Sequence, residues 1–156
     1  MMISMGSDHA GYELKQKVKE YLHSVKGLNP PTINDLGCYS EDRCDYPDFA
    51  HKVAEDVLNG KSKFGILICG SGNGISMSAN KWNGIRSALC WTPEISKMAR
   101  LHNDANILTL PGRYISVEDA IECVKEFLNT DFEGGRHEDR VNKINKVDNE
   151  KFDEIF

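Results

Sequence analysis

The sequence predicts an α/β fold in which a five-stranded parallel sheet is covered by helices on both faces, a three-layer α/β/α sandwich. Short apolar segments alternate with amphipathic ones five times along the chain. The length of 156 residues, with 40% hydrophobic and 28% charged residues, is typical of one globular domain with its own core. A glycine-rich loop follows a strongly apolar segment, and sheets of this kind bind ligands at the carboxyl ends of their strands.

The first half of the chain is predicted to supply three strands and two helices. Strands are expected at residues 2–5, 32–36 and 64–68. Apolar side chains recur at helical spacing over residues 12–25, and the Asn29-Pro30-Pro31 segment breaks the chain after them. Pro47 suits a first helical turn, and the amphipathic segment that it opens ends at Leu58.

The second half continues the alternation. Strands are predicted at residues 85–89 and 105–110, the second ended by Pro111-Gly112. Thr92 and Pro93 resemble an N-cap and first helical position, which indicates a helix to about residue 101, and Ser116 starts another. A last helix is expected from residue 136, and we expect it to pack on a neighbouring subunit. Its apolar residues and those of the tail are Val141, Ile144, Val147, Phe152, Ile155 and Phe156. We treat residues 1–156 as one domain whose tail begins near residue 148.

Composition excludes several classes of protein. The net charge of −5 leaves no basic footprint for nucleic acid, and no apolar run is long enough to cross a bilayer. Asp8 and His9 stand where a secretion signal would need an apolar core. The five cysteines are odd in number and form no CxxC pair, which argues against a disulfide framework or zinc ribbon. We therefore expect a protein of the reducing cytoplasm, with neither membrane nor nucleic acid as partner.

The segment from residue 64 to 81 carries the strongest chemical signal. Its strand runs into Cys69, the loop Gly70-Ser71-Gly72-Asn73-Gly74 follows, and a helix starts after that. Unpaired backbone N–H groups at such a helix start favour anions, and they lower the pKa of a nearby cysteine. Cys69 is therefore a candidate thiolate base, although a lone cysteine is more often a buried core residue.

Two common ligand-binding motifs do not fit this loop. No Gly-Lys-Ser/Thr follows as in a P-loop, and Gly74 falls one residue early for the dinucleotide fingerprint. The five histidines show no metal-binding spacing such as HExxH. We expect neither a metal nor a redox cofactor. The histidines are His9, His23, His51, His102 and His137.

Polar side chains elsewhere suggest a shared cleft at the carboxyl edge of the sheet, not necessarily within one subunit. Those expected to face it are Asp8, His9, Cys69, Ser71, His102 and Asn103. Arg136 and Arg140 share a helix face, and Arg113 follows the last strand. A base, a histidine, an anion hole and arginines suit aldose–ketose isomerisation of a sugar phosphate. Structural interpretations remain open for these residues. Asp8 and His102 could be helix caps, and the arginines could form a solvated helix face.

Five motifs in order make the sequence resemble the ribose-5-phosphate isomerase B family, which also contains galactose-6-phosphate and allose-6-phosphate isomerases. The likeness covers about residues 3–144. The motifs are Gly6-Ser7-Asp8-His9-Ala10-Gly11, Asp45-Tyr46-Pro47-Asp48, Cys69-Gly70-Ser71-Gly72-Asn73-Gly74-Ile75-Ser76, His102-Asn103-Asp104-Ala105-Asn106 and Glu133-Gly134-Gly135-Arg136-His137-Glu138-Asp139-Arg140. The resemblance implies a Rossmann-like fold and a homodimer whose subunits share active sites, with a tetramer as the alternative assembly.

The resemblance also implies roles for individual residues. Cys69 would move a proton between C1 and C2 of the open-chain sugar, since Ile75 stands where some relatives have a glutamate base. Ser71, with the N–H groups of residues 70–74, would stabilise the enediolate. His102 would open the furanose ring, aided by Asp8 or Asp45 and Asn103. The remaining implied contacts are His9, Arg113, Arg136 and Arg140 to phosphate, and Tyr46, Gly70, Gly72, Asn73 and Gly74 elsewhere on the substrate.

The expected reaction is interconversion of D-ribose 5-phosphate and D-ribulose 5-phosphate in the pentose phosphate pathway. Cys69 and His102 together favour a pentose, but a six-carbon aldose 6-phosphate is an alternative substrate. A catalytically silent sugar-phosphate-binding subunit and a metal-dependent isomerase are further alternatives. The chain departs from the family pattern at Pro111-Gly112-Arg113 and at Asn73, which replaces a smaller or apolar residue.

Overall fold

A computed structural model of the chain, describing residues 1–27 and 30–144, contains a five-stranded parallel sheet in the order β2-β1-β3-β5-β4. The strands are β1 Met2–Ser7, β2 Thr32–Asp35, β3 Phe64–Cys69, β4 Ser87–Leu89 and β5 Ile107–Pro111. The helices are α1 Tyr12–Ser24, α2 Tyr46–Leu58, α3 Asn73–Ala79, α4 Pro93–Asn103, α5 Val117–Asn129 and α6 Arg136–Ile144, with a 3₁₀ turn at His9–Gly11. Among these helices none is both long and apolar enough to cross a membrane.

The core lies on both faces of the sheet, which confirms the predicted three-layer fold. Strand β3 is buried along its whole length between β1 and β5, as its continuous apolar sequence requires. One face packs against α1, α4 and α5, with Phe127 fully buried. The other face packs against α2 and α3, and this second cluster contains Cys69 and Ile75.

The predicted strands and helices are all present in the predicted order, and only their ends differ. Strand β4 starts at Ser87 rather than at residue 85, because the N–H of Ile85 donates to the Trp82 carbonyl and that of Arg86 to Asn106 Oδ1. Strand β5 likewise starts two residues late, because the N–H of Ala105 closes the end of α4. The break at Asn29 and the apolar tail residues Val147, Phe152, Ile155 and Phe156 lie outside the described residues.

The direction of α4 determines where its last residues lie. A helix that connects parallel strands begins near their carboxyl ends and returns to their amino ends. Arg86, just before β4, donates from Nε to the carbonyls of Asn103 (3.1 Å) and Asp104 (2.9 Å). The end of α4 is therefore held at the amino edge of the sheet, opposite to the edge at which β3 ends.

Candidate active site

Cys69 lies at the carboxyl end of the central strand, beneath the glycine-rich loop. Its side chain is only 3% exposed and points into the cluster beneath α2 and α3. Gly72 has a left-handed backbone (φ 77°) and packs so closely on Leu89 that a Cβ would overlap it. Only glycine fits there without strain, so the loop conformation around the thiol depends on this residue.

The electrostatics of Cys69 correct the prediction that its pKa is lowered. Burial raises the pKa of the thiol above its ordinary value. Hydrogen bonds from the backbone N–H groups of Ile75, Gly72 and Ser71 act in the opposite direction, and the charge of Asp8 raises the pKa again. The N-terminus of α3 does not lower the net pKa of Cys69, because this helix has only seven residues and Cys69 is almost inaccessible to water. Backbone N–H groups of the predicted loop and of the start of α3 therefore act on the sulfur and favour its thiolate form.

Asp8 has the capping role that the sequence left open, and it also lies close to the thiol. Its buried carboxylate accepts a hydrogen bond from the Gly11 N–H at 3.0 Å, which caps the 3₁₀ turn. Its own N–H donates to the Ile68 carbonyl, one residue before Cys69. A Cβ at Gly11 would overlap that same carbonyl. The first motif, residues 6–11, therefore packs closely against the end of β3 and places the Asp8 carboxylate beside it.

His9 and Tyr46 border the loop from the neighbouring segment. Nδ1 of His9 lies 3.3 Å from the Cys44 nitrogen and 3.2 Å from the Cys44 oxygen, so the backbone before α2 fixes the imidazole. The ring of Tyr46 covers Gly74, where a Cβ would lie 2.6 Å from ring Cζ. Asp45 is exposed beside it. These residues lie at the same edge as Cys69, as predicted.

Arg113 reaches the loop despite the departure at Pro111-Gly112. Pro111 is opposite Cys69 in the sheet, and the Gly112 N–H donates to the Cys69 carbonyl at 2.8 Å. The Arg113 N–H donates to the Gly70 carbonyl at 2.9 Å, and its side chain passes over Gly70. Ser71 is exposed, and its Oγ accepts a hydrogen bond from the Asn73 N–H at 3.3 Å. An arginine and a hydroxyl thus flank the loop above the thiol.

Within one chain, His102 and Asn103 do not join this group; the shared cleft, which allowed for residues from two subunits, stays a prediction. They precede β5 instead of following it, and α4 brings them to the amino edge. Helix α6 begins beside them and carries the exposed Arg136 and Arg140. Within one chain, the predicted ring-opening histidine and two predicted phosphate ligands are therefore separated from Cys69 by the length of the sheet.

His102 has two neighbours that the sequence did not assign to it. Its ring stacks on that of His137, with centroids 4.3 Å apart, and its Nε2 lies 3.8 Å from Glu133 Oε2. His137 is 7% exposed, and burial lowers the pKa of its imidazole, as do the nearby charges of His102 and Arg136. Glu133 precedes α6 and His137 lies in its first turn, so only the fold shows that these two residues meet His102.

The likeness to known proteins agrees with this architecture. The sequence profile described as Ribose/Galactose Isomerase matches residues 3–144. The chain belongs to the ribose/galactose isomerase family. An Escherichia coli protein named ribose-5-phosphate isomerase B is 40% identical over 146 residues, which are 94% of this chain and 95% of the relative.

Solved structures of members of the ribose/galactose isomerase family have the same fold. A ribose 5-phosphate isomerase from Thermotoga maritima is 50% identical, with a TM-score of 0.89 over 94% of this chain and 98% of its own. An enzyme from Mycoplasma genitalium with bound ribulose-5-phosphate is 38% identical, with a TM-score of 0.85 over 99% and 97%. These relatives confirm the predicted family, the Rossmann-like fold and the isomerase class.

A cavity of about 700 Å³ lies apart from the glycine loop of this family member. It opens at the amino edge, among residues 80–88, Asn103, Ala105 and Ile144. Neither Cys69 nor any residue of the loop is among the described residues that line it. We base the candidate site on the chemistry around Cys69 rather than on cavity size, because a proton-transfer site needs convergent reactive groups.

Proposed function

We propose that this chain interconverts D-ribose 5-phosphate and D-ribulose 5-phosphate through an enediolate, in the pentose phosphate pathway and without a cofactor. The observation that carries the proposal is the position of Cys69 at the carboxyl end of the central strand, directly before the glycine-rich loop, where backbone N–H groups favour its thiolate. Membership of the family supports it. So does the bound ribulose-5-phosphate of the Mycoplasma genitalium relative.

Cys69 is proposed as the base of the isomerisation. Its thiolate takes the proton from C2 of the open-chain aldose and returns it to C1, while a proton moves from O2 to O1. The buried thiolate is hard to form but is a strong base once formed, which suits abstraction from a weak carbon acid. The N–H groups of residues 71, 72 and 75 stabilise negative charge first on sulfur and then beside it.

A second copy of the chain is proposed to complete each site. His102 opens the sugar ring, and in one chain it lies at the far edge of the sheet from Cys69. A symmetric dimer can bring His102 and Asn103 of the partner subunit over the glycine loop. Because of the two-fold symmetry, the same contact then forms at both active sites. Arg136 and Arg140 on α6 come with them, to join His9 and Arg113 on the phosphate. The remaining proposed contacts to sugar hydroxyls and oxygens are Asp8, Asp45, Tyr46, Gly70, Ser71, Gly72, Asn73 and Gly74.

A six-carbon aldose 6-phosphate is the competing substrate, because the matching family includes galactose isomerases. Turnover rates with ribose 5-phosphate, allose 6-phosphate and galactose 6-phosphate, measured at equal concentration, decide between these substrates. A clear preference for ribose 5-phosphate is the expected result. We also propose a cytoplasmic location, which is supported by the free thiol state of all five cysteines.

Replacement of Cys69 by alanine tests the proposal. We expect the rate of ribulose 5-phosphate formation, with chelator present, to fall by about 10²–10⁴-fold because the base is lost. The dissociation constant for ribulose 5-phosphate should change little. Cys123→Ala, a buried cysteine of α5 on the other face of the sheet, is the matched control and should remain active. Substantial turnover by Cys69→Ala would contradict the role of this thiol.

A further inference from the structure

His102, Glu133 and His137 converge at the end of α4, and their separations do not fit hydrogen bonds. Oε2 of Glu133 lies 3.8 Å from Nε2 of His102 and 3.6 Å from Nε2 of His137. Both exceed hydrogen-bond length. Two ligands of one tetrahedral ion, each bound at about 2.1 Å, are about 3.4 Å apart. All three ligand atoms lie within 4.8 Å of one another. Because the His102 ring stacks on that of His137, this partly exposed ring has to turn about its side-chain bonds before the two nitrogen lone pairs converge on one ion.

His137 carries an unexplained polar atom that points into this cluster. Its side chain is more than nine-tenths buried, and Nε2 has no hydrogen-bond partner among the described residues. Buried polar atoms almost always have a partner, because leaving one unpaired costs roughly 1–3 kcal/mol. The nearest acceptor, the Glu133 carboxylate, is too far away to provide it. A cation between these two groups would satisfy both.

The backbone holds the three side chains in place independently of any ion. The Glu133 N–H donates to the Leu101 carbonyl at 3.1 Å, which ties the segment before α6 to the last turn of α4. Gly134 and Gly135 both have positive φ, and the turn that they form before α6 brings His137 Nε2 to 3.6 Å from Glu133 Oε2. Two imidazoles and one carboxylate on such a frame are a donor set typical of zinc, with a fourth position left open.

We propose that His102, Glu133 and His137 form a binding site for one divalent transition metal ion of the Zn²⁺ class. Bound metal occupies the lone pair of His102, so the same histidine cannot exchange a proton with a sugar ring. The ion is therefore an inhibitor of ring opening and not a cofactor of the reaction. This inhibition, unlike the binding itself, rests on the proposed function.

Direct titration tests the binding without reference to activity. Purified protein is titrated calorimetrically with Zn²⁺ and spectroscopically with Co²⁺, for wild type and for Glu133→Gln and His137→Gln. Glu138→Gln removes the same charge from an exposed position of α6 and is the matched control. We expect one equivalent bound by wild type and the control, and at least about tenfold weaker binding by the two ligand variants. Circular dichroism checks that the variants are folded.

The Co²⁺ spectrum separates this site from the free thiols. Visible bands of a nitrogen–oxygen complex, without the strong near-ultraviolet absorption of cobalt–thiolate bonds, are expected. Binding that shows thiolate absorption and survives in His137→Gln would overturn the proposal, as would no binding or equal affinity in all variants. Binding without inhibition of ribose 5-phosphate turnover would leave the metal site intact and contradict the placement of His102 in the reaction.

Discussion

At the scale of single residues, the ionisation of Cys69 depends on opposing effects, of which burial is the largest. Burial and the charge of Asp8 hold the proton on sulfur, whereas three backbone N–H groups favour the thiolate. The net result is a raised pKa, so the reactive form is a small fraction of the protein at neutral pH. The rate of the proposed catalysis by Cys69 should therefore still increase as the pH rises above neutrality.

The pH dependence of kcat/KM tests this balance. Because the base must lose a proton, kcat/KM should rise with pH through the neutral and mildly alkaline range. Asp8→Asn keeps the oxygen that caps the 3₁₀ turn but removes the negative charge, so the pKa of Cys69 falls. The rising limb should therefore shift to lower pH. Asp48→Asn, an exposed position of α2, is the control, and an unshifted limb in Asp8→Asn would contradict the account.

The sequence selected Cys69 as the candidate base but gave the wrong sign for the shift of its pKa. A strand that ends in a cysteine before a glycine loop is visible in the residue order, and so is the start of a helix. The depth to which the thiol is buried is not visible there, because it depends on Ile75, Leu89 and the helices that cover them. Local motifs can predict which groups meet the sulfur, whereas burial is a property of the whole fold.

At the scale of secondary-structure elements, hydrophobic periodicity predicted the order of strands and helices, but one lysine breaks the pattern. Lys15 on α1 falls among residues expected to face water, yet it is completely buried. Its Nζ donates to Asp35 Oδ1 and to the Cys38 carbonyl, each at 2.6 Å. The aliphatic stem covers the core while the ammonium group ties α1 to the chain that follows β2.

Replacement of Lys15 by methionine should destabilise the fold without touching the site. Burial raises the pKa of Asp35, whereas hydrogen bonds from Lys15, Lys19 and the Gly37 N–H lower it. The hydrogen bonds outweigh burial, so the net pKa of Asp35 lies below its ordinary value. The pairing therefore stabilises the fold above the unfolded pKa and is lost as pH falls through the folded pKa. At pH 7 we expect a loss of about 3 kcal/mol in the free energy of unfolding.

Lys17→Met, at a half-exposed position of the same helix, is the control for that experiment. Its surface ion pair with Glu20 should be worth less than about 1 kcal/mol. Urea denaturation of both variants at pH 7 measures the difference. Equal stability of Lys15→Met and Lys17→Met would show that the buried ammonium group does not hold α1 to β2.

At the scale of the whole molecule, the predicted site residues form two groups at opposite edges of one sheet. The sequence located both groups as motifs, but it could not tell at which edge of the sheet each lies. His102 lies in the last turn of α4, and this helix runs antiparallel to the strands and so carries His102 away from Cys69. A single chain thus holds the proposed base Cys69 and the proposed phosphate ligands Arg113 and His9 at one edge, and the proposed ring-opening histidine at the other. This separation is the main argument that two copies build each site.

Complementation between two inactive chains tests this central claim most directly. Differently tagged Cys69→Ala and His102→Asn chains are unfolded, mixed in equal amounts and refolded, and ribose 5-phosphate turnover is measured. If each site combines Cys69 of one chain with His102 of the other, a mixed dimer has one intact site. Random pairing should then restore roughly a quarter of wild-type activity. A mixture of Cys69→Ala with the Cys69→Ala/His102→Asn double variant is the control and should stay inactive. No recovery in the first mixture, with mixed dimers shown to be present by their two tags, would contradict the shared site.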